Sequence, residues 1–277
     1  MRATTGLLFE AESGRHRFLV TDGTPPIIVG RHPPYEPQNV RVASILVSRR
    51  HACIRADARG EVTIEDDASA SGLYVDDERF AGARPLHGGE RVRIGGERFT
   101  TRRVRGHTLY ELLCAGERAD RAQVAALLRA ILAALAPLHA TGDAHGNLDW
   151  HHVLHEDTGA WITIIDGWTV LGPEGTLSCN PAYCAPEVFA QNVLTPASDV
   201  YAAGLLAFEM RTGRRPFEPA SQDVNAHMLA KLRGVAPAWG DTDASPAERD
   251  LYARLLAVAP AARPAIAAAL ALVDALA

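Results

Sequence analysis

The sequence predicts two domains of different class, an all-β sandwich followed by a mainly α-helical domain. The chain has 277 residues, 47% of them hydrophobic and 22% charged, which is enough to bury a core in each domain. Short apolar runs separated by Gly, Asp and Pro fill residues 5–104 and are typical of a sandwich or barrel. From Leu109 onward apolar residues recur at helical spacing. We therefore place the domains at residues 1–104 and 105–277.

Charge and composition exclude several classes of protein. The net charge of −5 argues against a general nucleic-acid binder, although the first 105 residues are net positive and the remainder net negative. No apolar run is long enough to cross a membrane, and the first residues do not read as a secretory signal. The four cysteines form no C-x-x-C pair, so reduced thiols are expected. We expect a cytoplasmic protein without membrane or nucleic-acid partners, and the Ala- and Arg-rich composition suggests a bacterial source.

Four short motifs stand in order in the N-terminal part. Gly30-Arg31 ends an apolar run, a Ser-Arg-Arg-His follows at residues 48–51, Ser71-Gly72 precedes the run LYV, and LHGGERVRIG comes last. In this order they resemble a forkhead-associated (FHA) domain over residues 5–104. The resemblance implies a β-sandwich that binds phosphothreonine through loops at one end.

The resemblance assigns roles to individual residues of these loops. Arg31 is expected to hold two phosphate oxygens, Ser48 to donate a hydrogen bond and Arg49 to add positive charge. Ser71 stands where the family has asparagine, and a serine has one donor rather than two, which puts the peptide preference in doubt. The remaining two assignments, His51 and Gly72, are structural.

A second set of blocks occupies the C-terminal part. The segments HGNL, WITIIDGW, PAYCAPEVF, SDVYAAGLLAFEMRTGRRPF and AARP follow one another at residues 145–264. They resemble the C-terminal lobe of a eukaryotic-type Ser/Thr protein kinase over residues 105–277. The resemblance implies a structural ion pair between Glu187 and Arg263 and a structural role for Asp199.

The catalytic positions implied by that resemblance carry unusual residues. Asn147 stands in place of the aspartate that orients the substrate hydroxyl, and an amide cannot accept a proton. His152 replaces the metal-binding asparagine and is a poor ligand for magnesium. Asp166 matches the remaining metal-binding aspartate and is followed by Gly167-Trp168. The sequence therefore predicts a degenerate kinase lobe, a pseudokinase, that is not an enzyme.

The nucleotide-binding N-lobe of a kinase has no counterpart in the sequence. No Gly-x-Gly-x-x-Gly precedes the lobe, and the only lysine, Lys231, follows the catalytic loop. The sequence thus predicts a truncated kinase without an N-lobe and without a cofactor.

Two further features have alternative interpretations. A cluster of histidines at 145, 151, 152 and 155 could hold zinc, but His145 matches a structural histidine of kinases and the others surround Trp150, so no metal site is predicted. Asp149, where kinases often have lysine, is expected to be a solvated loop charge.

The tether between the domains, residues 102–108, is short and charged, so the two domains are expected to touch. Together these observations predict a phosphothreonine-dependent signalling adaptor whose inactive kinase lobe serves as a protein-interaction module. Its partner is expected to be a phosphothreonine-containing protein, either a Ser/Thr kinase or the substrate of one. The alternatives are a phosphate-independent scaffold and a kinase-like enzyme completed by a partner.

Overall fold

A computed structural model describes residues 3–34, 39–166, 180–217, 223–234 and 237–276. Its strands are β1 (Thr4–Ala11), β2 (Arg17–Thr21), β3 (Ile27–Gly30), β4 (Val40–Arg41), β5 (Ala52–Ala56), β6 (Val62–Asp66), β7 (Leu73–Val75), β8 (Glu78–Phe80), β9 (Ala83–Leu86), β10 (Arg91–Ile94), β11 (Glu97–Thr108), β12 (Val153–Glu156) and β13 (Trp161–Thr163). Its α-helices are α1 (Leu109–Cys114), α2 (Arg121–His139), α3 (Pro186–Gln191), α4 (Pro196–Thr212), α5 (Val224–Leu232), α6 (Pro246–Leu255) and α7 (Ile266–Asp274).

The N-terminal part is the β-sandwich that the sequence predicts. One sheet has the strand order β4-β3-β5-β6-β9, and the other has the order β13-β12-β11-β10-β7-β8, with β1 on β11 and β2 on β1. Alternate residues of each strand face the core between the sheets, as the period of two requires. In this core Phe9 stacks on Phe18 with ring centroids 4.7 Å apart, and Phe99 meets Phe18 edge to face at 5.7 Å.

Strand β11 belongs to both parts of the molecule. Its first residues pair with β10, most of its length pairs with β1, and Gly106 to Thr108 pair with β12. The predicted tether at 102–108 is therefore a strand rather than a linker, and the boundary placed after residue 104 falls inside it. Val104 and Leu8 point away from the sandwich core and pack with Leu154 and Ile162 of the β12–β13 hairpin. The two domains do touch, through one continuous sheet.

The C-terminal part is built around two buried helices. Asp120 caps α2 with a reciprocal hydrogen-bond pair to Gln123, and α2 packs on α4 and α7. Helix α4 is buried on almost every face, which explains why its apolar residues show no helical stripe. Gly213 ends α4 in the left-handed conformation. By length and composition α2 could cross a membrane, but half of its apolar window is buried against the other helices.

The cysteines differ from the sequence prediction at one position. Cys53 and Cys114 carry free thiols, whereas Cys184 is disulfide-bonded. The expectation of reduced thiols is therefore wrong at Cys184, because spacing along the chain does not determine which sulfur atoms meet.

Candidate functional sites at the sandwich loops and the inter-domain cleft

The loops of the proposed phosphate site are joined by close backbone contacts. Strand β3 ends at Gly30, and the next residue, Arg31, donates its backbone N–H to the carbonyl of Ser48 at 2.8 Å. His32 makes the same contact with the carbonyl of Arg49 at 3.1 Å. A Cβ atom on Gly30 would lie 2.1 Å from that Arg49 carbonyl oxygen, so only glycine allows the approach. The structure thus brings Arg31, Ser48 and Arg49 together.

Two guanidinium groups at this end of the sandwich are not neutralised. Among the described residues neither Arg31 nor Arg49 has a carboxylate partner, and the buried Nε of Arg31 has no hydrogen-bond acceptor. The adjacent Arg50, in contrast, forms an ion pair with Asp67 at 2.7 Å. A buried donor without a partner costs on the order of 1–3 kcal/mol, and an anion that accepts from it would recover that cost.

The two serines of the site differ in what they can offer a ligand. The Ser48 hydroxyl oxygen accepts the N–H of Ala70 at 3.0 Å, which leaves its own proton available to a phosphate. The Ser71 hydroxyl donates its proton to the carbonyl of Leu46 at 3.0 Å. In this structure the side-chain donor of Ser71 therefore holds the loop that carries Leu46. That Ser71 contacts a phosphopeptide stays a prediction.

His51 braces the site from inside the sandwich. Its Nδ1 accepts the N–H of Ser48 at 3.0 Å, so its Nε2 carries the proton and donates to the carbonyl of Gly72 at 3.2 Å. Burial lowers the pKa of His51, which keeps the ring neutral. Gly72 itself has a φ of 76°, a conformation that favours glycine.

The second candidate site is the loop at residues 145–152, which Asp199 positions. The Asp199 carboxylate accepts the backbone N–H groups of His145 and Gly146 at 2.7 and 2.8 Å, and it contacts Nε2 of His139 at 2.7 Å. Asp199 is 1% exposed, so this fold of the loop depends on a buried charge that is fully hydrogen-bonded. Asn147 follows directly and lines the cleft.

Asp149, His152 and Asp166 form a buried chain of charges beside Asn147. His152 contacts Asp149 through Nδ1 at 2.8 Å and Asp166 through Nε2 at 3.4 Å. Burial alone would lower the pKa of His152, but hydrogen bonds to the two carboxylates and their charges outweigh it and raise that pKa to about 10. At neutral pH His152 is therefore an imidazolium that bridges two carboxylates.

Asp149 belongs to this candidate site, which its position in the sequence did not predict. It was expected to be a solvated loop charge, but it is 8% exposed and also accepts from the Asn180 amide at 3.3 Å. The bond from His152 counteracts burial and lowers the pKa of Asp149. The spacing of Asp149 and His152, three residues apart, was the available signal.

The residues of the cleft do not fit magnesium as they stand. Ligand atoms of His145, His152 and Asp166 lie within 4.8 Å of one another. Both ring nitrogens of His145 are occupied, because Nδ1 accepts from Asn147 and Nε2 contacts the carbonyl of Ile164. His152 is an imidazolium that donates through both ring nitrogens, so it has no lone pair for a metal. Of these three residues only Asp166 offers an oxygen ligand, and a bond to magnesium there would compete with its contact to His152. The other two histidines of the predicted cluster lie apart, His151 against Tyr110 and His155 against Trp161.

A cavity of about 500 Å³ separates these residues from the sandwich. Phe18, Leu19 and Ile27 line it from the sandwich side, opposite Asn147 and Asp166. The sandwich reaches the cleft through a backbone bridge between Arg17 and Ile165, in which each residue donates to the other at 2.6–2.7 Å. The β-sandwich therefore forms one wall of the cleft of the helical part. Gly167 and Trp168, which follow Asp166 in the sequence, lie outside the described residues.

The remaining assigned residues stabilise the helical part. Arg263 and Glu187 form the ion pair that the resemblance implies, with N–O distances of 2.7 and 2.8 Å. Lys231 donates to the carbonyls of Pro181 and Cys184, both at 2.7 Å. Its ammonium group is therefore used inside the helical part and not to bind a phosphate.

Comparison with known proteins gives the class of each part. The FHA domain family matches residues 27–95, and the protein kinase domain family matches residues 99–272. Because the kinase match covers more than half of the chain, the chain belongs to the protein kinase family. It is an FHA domain followed by a protein kinase domain.

Individual relatives are Ser/Thr kinases. The serine/threonine-protein kinase PknL of Mycobacterium tuberculosis is 31% identical over 121 residues, 41% of this chain and 30% of that protein. The serine/threonine-protein kinase pkn3 of Myxococcus xanthus is 29% identical over 182 residues, 60% of this chain and 33% of that protein. The chain spans no more than about a third of the length of these curated relatives.

One solved structure shares the overall architecture. Rad53 residues 1–466, crystallised with AMP-PNP, superposes with a TM-score of 0.50 at 15% identity and covers 96% of this chain and 98% of that one. At this identity the likeness shows the fold alone.

These findings correct one prediction. The substitutions at Asn147 and His152 led us to expect that the chain is not an enzyme. The kinase family match and the Ser/Thr kinase relatives point to a kinase instead. The prediction failed because two catalytic positions were given more weight than the whole matched region of residues 99–272.

Proposed function

We propose that this protein is a signalling protein that binds a phosphothreonine-containing partner through its FHA domain. The observation that carries the proposal is the pair of guanidinium groups of Arg31 and Arg49, which no carboxylate of the described residues neutralises, beside the free hydroxyl proton of Ser48. The partner we propose is a Ser/Thr kinase or a substrate of one, in the cytoplasm.

The chemistry of the site suits a phosphate dianion. A phosphothreonine carries between about −1.5 and −2 charges at pH 7 and three acceptor oxygens. Arg31 can donate two parallel hydrogen bonds, Ser48 a third, and Arg49 contributes charge at the exposed rim. Hydrogen bonds to charged groups contribute about 1.5–3 kcal/mol each, so loss of Arg31 is expected to weaken binding by at least tenfold.

A titration against matched phosphorylated and unphosphorylated threonine peptides tests the proposal. We expect binding that requires the phosphate, falls at least tenfold in Arg31→Ala and falls several-fold in Ser48→Ala. Arg59→Ala is the matched control, because Arg59 is an exposed arginine in the β5–β6 turn at the opposite end of the sandwich. Equal affinity for both peptides would contradict the proposal and favour a phosphate-independent scaffold.

Phosphotransfer by the kinase part is a separate measurement. The described residues that face the cleft supply Asn147, the Asp149–His152–Asp166 chain and no lysine. Incubation of the full chain with labelled ATP and either magnesium or manganese, alongside Asp166→Asn, determines whether phosphate is transferred at this cleft. A signal that persists in Asp166→Asn would assign the activity to a contaminating kinase.

A further inference from the structure

A row of arginines crosses the outer face of the larger sheet of the sandwich. Tyr74 on β7 pairs with Arg79 on β8 and with Arg93 on β10, and Arg93 pairs with Arg98 on β11. Side chains of directly paired residues point to the same side of a sheet. The neighbouring residues Leu73, Val75, Val92 and Phe99 are buried in the sandwich core, so the row itself faces solvent.

The central arginine of this row is held in place without being neutralised. The Arg93 guanidinium lies 3.5 Å from the centre of the Tyr74 ring, and its Nη1 donates to the carbonyl of Gly95 at 3.4 Å, which leaves its other N–H groups to donate to a ligand. Within the described ranges no carboxylate lies within ion-pair distance of Arg79, Arg93 or Arg98. Arg91 adds a fourth charge to a groove of about 250 Å³, whose acidic members are Glu12 and Asp77.

The arrangement costs stability in the absence of a ligand. Arg93 and Arg98 are directly opposed across β10 and β11, and like charges in that position repel each other. Some other exposed arginines of the sandwich are paired with acids, as Arg55 is with Glu65 and Arg84 with Glu78. A cross-strand arginine pair that no described carboxylate contacts at ion-pair distance therefore points to an acidic ligand.

The row begins at the phosphate site. The Arg79 side chain lies against Gly72, where a Cβ atom would be 2.5 Å from its Nε. Gly72 is held by His51, which in turn holds Ser48. From β8 to β11 the row spans three strand spacings, about 14 Å, which an extended segment of four or five residues covers.

We propose that the row of Arg79, Tyr74, Arg93 and Arg98 is a docking surface for an acidic segment of the same partner that carries the phosphothreonine. The link to that partner rests on the proposed function, whereas the affinity of the surface for acidic peptides does not. A peptide that reaches from Ser48 across Gly72 places carboxylates over the row.

The test compares four peptides with the full-length protein at low and high salt. One carries phosphothreonine alone, one adds a block of four glutamates three residues before it, one adds the same block three residues after it, and one has the block without the phosphate. The variant is Arg93→Gln combined with Arg98→Gln, and Arg59→Gln is the matched control. Removing opposed like charges should leave the melting temperature of the double variant equal to or above that of the wild type, so that a loss of binding reports on the surface.

We expect one of the two glutamate extensions to tighten binding about tenfold at low salt, and this gain to disappear in the double variant and at high salt. Equal affinity of plain and extended peptides, or a gain that survives in the double variant, would overturn the docking surface while leaving the phosphothreonine site intact. If no phosphopeptide binds, the titration with the unphosphorylated glutamate peptide tests the docking surface by itself. Binding that needs Arg93 and Arg98 supports the surface alone, and its absence overturns it.

Discussion

Arg263 and Glu187 meet through two parallel hydrogen bonds, with both side chains buried. Glu187 also accepts from the Ser198 hydroxyl at 2.7 Å, and Arg263 also donates to the carbonyls of Ala197 and Val258. The hydrogen bonds to Arg263 and Ser198 counteract burial and lower the pKa of Glu187. The pair thus ties the start of α3 to the start of α4 and to the chain before α7.

Removing one partner of this pair leaves the other charge buried and alone. We expect Arg263→Met to reduce the free energy of unfolding by about 3–5 kcal/mol, measured by urea denaturation. The double variant Glu187→Leu with Arg263→Met should recover much of that loss, because it removes the uncompensated carboxylate as well. A double variant no more stable than Arg263→Met would show that the pair does not act as a unit.

The imidazolium of His152 gives the second prediction. In Asp149→Asn the stronger of its two carboxylate contacts is lost, so we expect the pKa of His152 to fall well below the value of about 10. Titration of the ring signals by NMR measures it. His151→Gln is the control, because its ring packs on Tyr110 outside the chain of charges.

The same raised pKa gives a pH dependence with a definite sign. Between the ordinary value of 6.5 and about 10, the native state binds the His152 proton and the unfolded state does not. The stabilising contribution is therefore complete below pH 6.5 and is lost as the pH rises to about 10. A difference in unfolding free energy between wild type and His152→Gln that stayed constant over this range would contradict the assignment.

The lowered pKa of Lys231 predicts a contribution to stability that changes with pH in the opposite direction. Burial lowers its pKa from 10.5 to about 7, so between these values the unfolded state binds the proton and the native state does not. The contribution of Lys231 to stability thus rises with pH from about 7 to 10.5. In Lys231→Met this rise should vanish, and denaturation at pH 7 and pH 10 measures the change.

The close approach at Gly30 gives a prediction for the phosphate site. In Gly30→Ala the new methyl group would have to push the Arg49 carbonyl away from 2.1 Å, and with it the loop that carries Ser48. We expect phosphopeptide affinity to fall at least tenfold. Gly23→Ala is the matched control, since a Cβ atom there meets nothing within 4 Å, and its affinity should equal that of the wild type.

Local patterns in the sequence predict most of the elements. The helices α1 and α2 follow from helical spacing after Leu109, and the β12–β13 hairpin follows from two short apolar runs. The end of strand β11 was interpreted as a tether because its outward side chains change partners along its length. Phe99 and Thr101 face the sandwich core, whereas Val104 faces the second core with Leu8. A single alternating pattern cannot encode two opposite buried faces.

Local sequence patterns likewise predict only part of the candidate sites. Arg31, Ser48 and His51 are predictable from the motif order, since their roles depend on adjacent loops of one sandwich. The burial of Asp149 depends on His152, whose spacing of three residues is a local signal, and on Asn180 from a distant segment, which no local pattern reports. The use of the Ser71 proton depends likewise on the backbone of Leu46.

The strand shared by the two parts limits how separable they are. A cut within residues 97–108 would leave β1 and β12 each with an unpaired edge, and exposed edges recruit other chains. The FHA sandwich of this protein is therefore not an exchangeable module. A recombination event that replaced it would have to supply a strand of matching register to the kinase part, so the two halves are expected to be inherited together.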